Sequence, residues 1–334
     1  MVKGHPVMPI PSEDDLLRTI LKYLDRGGPG ERLDPGDDAR DILPRGLRIV
    51  FTMDGYSIGS AWLPWRGLDD IGYSILAGSI SDLVSKSACP YGFMTAIGVP
   101  VDWEIGSVEM LYRGFREACR DYWCRLLGGD TNRSGDPWVA VAGIGFTTAA
   151  YPPRRDGARP GDYVVATGYY GAMGVVAVDG VEEASRHRWV VMATRRPKVY
   201  VQLAPIIASY SKIVHASMDV SDGLAYTLYT VARGSGVCIE LGNLPQYHLE
   251  LRSYCRGDEQ CMLERIMYGG EEYGAVLTID PGYIGRFTGE LDSYGVPYRV
   301  IGRVVECREP LITYGGKEIE IHRWDQFKGW IKLD

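Results

Sequence analysis

The 334-residue chain lacks most of what marks the commoner enzyme classes. Its seven cysteines, Cys89, Cys119, Cys124, Cys238, Cys255, Cys261 and Cys307, contain no CxxC pair and no zinc spacing. There is no GxSxG and no HExxH, and the five histidines, His5, His187, His215, His248 and His322, are scattered. Nucleophilic and zinc chemistry are therefore disfavoured. No Walker loop with its Lys-Ser/Thr is present, which removes the P-loop reading. Apolar runs stop at about ten residues, too short to span a bilayer. The opening MVKGHPVMPIPSEDD has no signal-peptide core, so an intracellular, cytoplasmic protein is the expectation. Positive charge is also short: the net charge is −7 and the pI about 5.4. That argues against a general nucleic-acid binder, which shows a basic stripe.

The composition is ordinary for a globular chain, with 46% hydrophobic and 24% charged residues. The length suits two domains. Helical periods are read over 13–26, 68–88 and 104–127, and strands over 47–53, 91–100 and 137–150. A break dense in Pro, Gly and Arg at 151–162 (YPPRRDGARPGD) sets the boundary. Residues 1–150 are expected to form an N-terminal domain and residues 151–334 a C-terminal one. The second half predicts strands at 162–168, 213–220, 237–241, 273–280 and 298–305. Helices are predicted over 182–210, 221–236, 259–267 and 281–294. Strands alternate with helices in both halves, which predicts an α/β fold of α+β type with two α/β domains. Cys119 and Cys124 fall in one predicted helix. Most thiols read as buried and inert, while Cys255 and Cys261 lie in a polar stretch where a bridge is open.

Acidic residues carry the chemistry. Aspartates sit beside small or glycine residues in PGDDAR (Asp37, Asp38), FTMDG (Asp54), SISDL (Asp82), GGDTN (Asp130) and MDVSDG (Asp219, Asp222). Glu271 and Glu272 do the same in YGGEEYG. Each taken alone is compatible with a turn or a helix cap, and Asp222 in particular could start the helix that follows it. As a set they are harder to dismiss. Asp82 lies in an apolar helical face, where an unpaired carboxylate is costly. Asp54 and Asp219 are read at strand ends, where α/β folds bind ligands. Converging carboxylates repel, and magnesium, a hard oxygen-seeking cation, relieves that repulsion. ATGYYGAMG (166–174) has the glycines of an anion-binding turn. Arg186, Arg188, Arg195, Arg196 and Lys198 read first as a solvated helix face and second as phosphate contacts.

GDDAR, MDG with Trp62-Leu63-Pro64, IGYSILAGSISDLVSKSACP, GGDTNRSG, RDGARPGDYVVATG, MDVSDGLAYTL and GGEEYGAVLT follow the order seen in thiamine-monophosphate kinases. The chain resembles that family from about residue 13 to its end. The superfamily includes aminoimidazole ribonucleotide synthetase, selenophosphate synthetase and a hydrogenase-maturation ATPase. The resemblance implies a homodimer formed through the N-terminal sheets, a C-terminal sheet flanked by helices, and ATP held by several magnesium ions between the domains. It implies metal ligands at Asp37, Asp38, Asp54, Asp82, Asp130, Asp219 and Asp222. Gly128, Gly129, Thr131, Arg155 and Ser221 would lie at the nucleotide, and Glu271, Glu272 and Trp324 at the acceptor. Asp222, Arg155 and Asp130 would be the catalytic set for in-line transfer of the γ-phosphoryl group from ATP to thiamine monophosphate. Both reactants are anions, so charge neutralisation rather than a general base is the main requirement. The chain departs from the family at Met53, Ala61, Glu272, Gly274 and Gln326. Two alternatives stay open at this point: a relative using ATP on a different acceptor, and a nucleotide-binding relative without turnover.

Overall fold

The computed structural model describes residues 13–29, 42–325 and 329–333; Asp37, Asp38 and Gln326 lie outside the described residues. The chain divides into two compact units, 1–80 with 90–146 and 81–89 with 147–334.

The first unit contains α1 (Glu13–Leu21), β1 (Arg48–Ser57), most of α2 (Leu68–Ser85), β2 (Cys89–Val99), α3 (Ile105–Asp121), β3 (Arg125–Arg133) and β4 (Trp138–Thr147). Its sheet has the order β1-β4-β2-β3, with β2 and β3 parallel. In α3, Val108, Leu111, Tyr112, Phe115, Ala118 and Cys119 form one buried stripe at helical spacing. Two glycines let α2 and α3 lie backbone to backbone. A Cβ on Gly72 would stand 2.3 Å from the Leu111 carbonyl oxygen, and one on Gly114 would stand 1.9 Å from that of Asp69.

The helix read over 104–127 is too long: α3 ends at Asp121 and Arg125–Arg133 is a strand. The break falls at Trp123, whose φ of 56° is left-handed. Nothing in its residue type announces this, and Leu126 and Leu127 continue the apolar pattern. Asp130 therefore lies on a strand. Asp54 does not follow β1 but lies within it. β1 turns Ile49, Phe51 and Met53 outward, the last two more than 70% exposed.

The second unit contains β5 (Tyr163–Thr167), α4 (Ala172–Asp179), α5 (Val181–Ser185), α6 (Arg188–Arg195), α7 (Leu203–Ser209), β6 (Val214–Asp219) and α8 (Leu224–Ser235). Then follow β7 (Cys238–Leu241), α9 (Leu249–Tyr254), α10 (Glu259–Tyr268), β8 (Ala275–Ile279), α11 (Ile284–Ser293) and β9 (Tyr298–Val305). β10 (Ile312–Tyr314) and β11 (Lys317–Glu318) complete the sheet, and β12 (Ile321–Asp325) pairs with β13 (Gly329–Leu333). The seven-stranded order is β11-β10-β7-β9-β5-β8-β6. All neighbours are antiparallel except β10 with β7. β5 and β8 form its buried centre, with every residue of Ala275–Ile279 inaccessible. The helical region 182–210 resolves into three short helices rather than one. No helix among the described residues is long and apolar enough to cross a membrane.

Two disulfides hold this unit. Cys255–Cys261 forms across the turn between α9 and α10. Cys238–Cys307, read from the sequence as inert thiols, joins β7 to the end of β9. Those strands are adjacent, with Cys238 opposite Val305, although 69 residues separate the two cysteines in sequence. Loop-closure entropy makes the long bridge worth ~4 kcal/mol and the six-residue one ~2 kcal/mol. The double variant Cys238→Ser/Cys307→Ser should therefore lower the calorimetric unfolding midpoint more than Cys255→Ser/Cys261→Ser. Equal shifts would show that loop length does not set the contribution.

Candidate functional site

In the first unit, Asp54 points to the half-buried side of β1 and accepts a 2.7 Å hydrogen bond from Ser79 Oγ. Burial pushes its carboxyl above the ordinary range, and the Ser79 bond offsets part of that shift. A nearby cation would relieve the same penalty. Asp130 is exposed on β3 and accepts from Asn132 Nδ2 at 2.8 Å. Gly129 must be glycine, because a Cβ would stand 2.0 Å from the Thr95 carbonyl oxygen of β2. Gly128 precedes it, so bare backbone leads up to Asp130 on its N-terminal side, and Thr131 follows on the same strand.

In the second unit, β6 ends at Asp219, a carboxylate only 7% exposed. Ser81 Oγ donates to Asp219 Oδ2 at 2.9 Å, so the last turn of α2, which also carries Asp82, is tied to the end of β6. Lys86 follows that turn. Its Nζ donates to the Ser217 carbonyl oxygen. Burial pushes the Lys86 ammonium down to about 8, opposed by the charges of Asp219, Asp82 and Asp156. The sequence reading missed Lys86. A lone lysine among acidic motifs carries no spacing signal, yet here it is a half-buried cation whose charge interacts with two of the expected ligands.

The MDVSDG stretch turns sharply after β6. Helix α8 starts at Leu224 with Gly223 as its N-cap at φ 102°, so Asp222 does not cap it. This overturns the capping explanation for Asp222, which is exposed, while Ser221 is half-buried. Three main-chain hydrogen bonds fix the turn to the segment 269–274: Glu271 N to Ser221 O at 2.8 Å, Tyr273 N to Val220 O at 3.0 Å, and Val220 N to Gly274 O at 2.8 Å. Arg155 is exposed in the stretch that precedes β5, where Ser217 N donates to the Arg154 carbonyl. It lines an open groove of about 540 Å³ with Asp156, Tyr226, Tyr229 and Arg233.

The glycine-rich turn before α4 departs from its expected role. Its amides are already engaged: Glu272 Oε1 accepts from Gly171 N at 2.7 Å and from Met173 N at 3.1 Å. The protein's own carboxyl occupies the anion position. Glu271 lines a pocket of about 250 Å³ beside it, together with Arg196, Lys198, Tyr169 and His248. Arg186, by contrast, pairs with Glu182 and Glu183 on the helix surface, the solvated face expected for it. Trp324 lies on β12 opposite Trp330.

The structure thus brings Asp82 and Asp219 to one place, with Ser221 and Asp222 on the adjoining turn. Asp54 and Asp130 belong to the other unit. Among the described residues no group of three His, Cys, Asp or Glu side chains could hold a metal ion by itself. The donors within the second unit are nonetheless of the right kind for magnesium: the carboxylates of Asp82, Asp219 and Asp222 and the hydroxyl of Ser221, with Asp219 buried.

Residues 36–147 match the family model for the N-terminal domain of AIR synthase related proteins, and residues 159–314 match the C-terminal one. The thiamine-monophosphate kinase of Caulobacter vibrioides is 30% identical over 334 residues, covering 98% of this chain and 92% of the relative. The solved thiamine-monophosphate kinase of Stenotrophomonas maltophilia superposes with a TM-score of 0.77 at 23% identity, covering 95% and 100% of the two chains, and shares the fold. A structure of AaThiL complexed with AMPPCP and TMP superposes with a TM-score of 0.71 at 26% identity, covering 84% and 87%. With both domain models matched in order and a relative aligned over nearly its whole length, the chain belongs to the thiamine-monophosphate kinase family of AIR synthase related proteins.

Proposed function

We propose that the protein transfers the γ-phosphoryl group of ATP directly to the phosphate of thiamine monophosphate, giving thiamine diphosphate and ADP. The observation that carries the reading is the junction of β6 and α8. There a buried carboxylate (Asp219), a hydroxyl (Ser221) and an exposed carboxylate (Asp222) sit on one pinned turn, with Asp82 tied alongside through Ser81. Relatives named for this activity, and one solved with AMPPCP and TMP, support it.

Asp82, Asp219 and Asp222 in one unit and Asp54 and Asp130 in the other would hold magnesium. Asp37 and Asp38 remain candidates from the sequence. Magnesium held there would offset phosphate charge and orient the transferring group. Gly128 and Gly129 allow close backbone approach to phosphate, and Thr131 adds a hydroxyl. The Arg155 guanidinium would stabilise charge that develops as an acceptor oxygen bonds to the γ-phosphorus and the bond to the ADP oxygen breaks, its electron pair leaving with ADP. The attacking phosphate oxygen is already ionised at neutral pH, so no side chain has to remove a proton. Glu271 and Trp324 are assigned to the acceptor. Glu272 is reassigned, because its carboxyl is buried and its Oε1 is held by the turn before α4. The outward row of Ile49, Phe51 and Met53 on β1 supports a homodimer through the first unit's sheet.

A second reading keeps ATP and changes the acceptor. It is favoured by Ala61, a buried small residue where the family usually has a histidine. A panel of phosphorylated acceptors read by ADP release separates the two.

With ATP, magnesium and thiamine monophosphate, thiamine diphosphate should accumulate; folded protein that makes none refutes the first reading. Asp222→Asn should lower kcat more than about tenfold without moving the unfolding midpoint, since the residue is exposed and not a cap. Trp324→Ala should raise KM for the acceptor more than KM for ATP, and equal changes would remove Trp324 from the acceptor pocket. Phe51→Glu should halve the mass seen by light scattering; an unchanged mass would mean that β1 is not the dimer surface.

A further inference from the structure

Glu272 is a glutamate 9% exposed, held in the short segment between α10 and β8. Its two neighbours, Glu271 at φ 51° and Tyr273 at φ 46°, are both left-handed, a conformation that non-glycine residues adopt rarely and at a cost. Two such residues flanking one side chain need a reason. The strained pair throws the Glu272 carboxyl into the N-terminus of α4. That helix starts at Gly171, which has no side chain with which to cap the amides left without partners. Glu272 Oε1 caps Gly171 and Met173 from 101 and 99 residues away.

The same segment grips the β6–α8 turn from its other side. The amides of Glu271 and Tyr273 and the carbonyl of Gly274 make the three bonds to Val220 and Ser221 described above. There is no slack in either direction. A Cβ on Gly270 would stand 2.8 Å from the Ser221 carbonyl, one on Gly269 2.5 Å from Gly174 N, and one on Gly274 2.0 Å from the Thr167 carbonyl. Among the described residues, the second carboxyl oxygen, Oε2, is buried without a hydrogen-bond partner. A residue selected only to cap a helix would not leave that oxygen unsatisfied, and such orphans gather where structure serves a site. Burial also raises the Glu272 carboxyl well above its ordinary range, with the turn amides opposing the shift.

We infer that Glu272 is a positioning residue: anchored in α4, it fixes the backbone of 271–274, and through it the Ser221–Asp222 turn that presents the oxygens beyond β6. Its consequence for catalysis rests on the function proposed above; its effect on the turn does not.

Glu272→Leu keeps the bulk and removes both acceptors, Glu272→Gln keeps an oxygen for the two amides, and Glu272→Asp keeps the charge but shortens the reach. The full chain is compared by amide hydrogen exchange over 218–224, Mn²⁺ binding by electron paramagnetic resonance, and circular dichroism. Glu272→Leu should exchange faster over 218–224 and bind Mn²⁺ about tenfold or more weakly, as lost support of ligand-bearing residues does elsewhere. Glu272→Gln should stay near the wild type in both. If Glu272→Leu does not fold, Glu272→Asp gives the same comparison. A folded Leu or Asp variant with a lower unfolding midpoint but wild-type exchange and wild-type Mn²⁺ affinity would reduce Glu272 to a structural cap and overturn the inference. Wild-type protein that makes no thiamine diphosphate would refute the proposed function while leaving the exchange result to decide this one.

Discussion

A buried carboxylate at the end of a strand is the constraint around which the second unit is built. Asp219 ends β6 almost out of contact with water, and an anion there needs compensation. Ser81 supplies a hydrogen bond, Lys86 a half-buried ammonium close by, and α8 ties down the same residue's backbone through the side chain of Thr227, whose Oγ1 donates to the Asp219 main-chain carbonyl at 3.1 Å. These partners come from the end of α2, the stretch after it and the helix after β6. The geometry of the turn at 220–223 follows from satisfying one side chain and its neighbours.

The two chemistries that the glycine-rich and acidic motifs suggested are divided in an unexpected way. The turn before α4 has the shape of an anion site, but its amides are satisfied internally by Glu272. The carboxylates of MDVSDG, which a turn or cap would explain, are not used for capping. The motif that looked like a phosphate cradle is structural, and the one that looked structural is the best candidate for ligand chemistry.

Much of this was legible. The buried stripe of α3, the strand 298–305 and the acidic strand end at Asp219 all follow from local periodicity and residue type. The misreadings share one physical cause: they depend on contacts distant in sequence or on backbone conformation that residue type does not announce. β3 was absorbed into the preceding helix because Trp123, not a glycine or proline, makes the left-handed break. Cys238 finds Cys307 only because the sheet places β7 beside β9. Glu272 caps a helix 101 residues upstream, and Lys86 earns its role only when the end of α2 reaches β6. The acidic residues were identifiable by kind, whereas the partners that hold them in place were not.

The order of the seven-stranded sheet also has a consequence for how the chain is made. β5 is the first strand of that sheet to be synthesised, yet both of its neighbours, β8 and β9, are among the later ones. As the chain leaves the ribosome, β5 waits as an apolar segment without either sheet neighbour until residue 279 has emerged, and lacks the second until residue 305. Contacts of such long range close slowly, and an unpaired strand is exposed to aggregation in the interval. Maturation of this half is therefore set by the arrival of its last third: loss of the chain from residue 298 onward takes β9 from beside β5, whereas loss from residue 311 onward takes only β10 and β11 from the margin of this sheet.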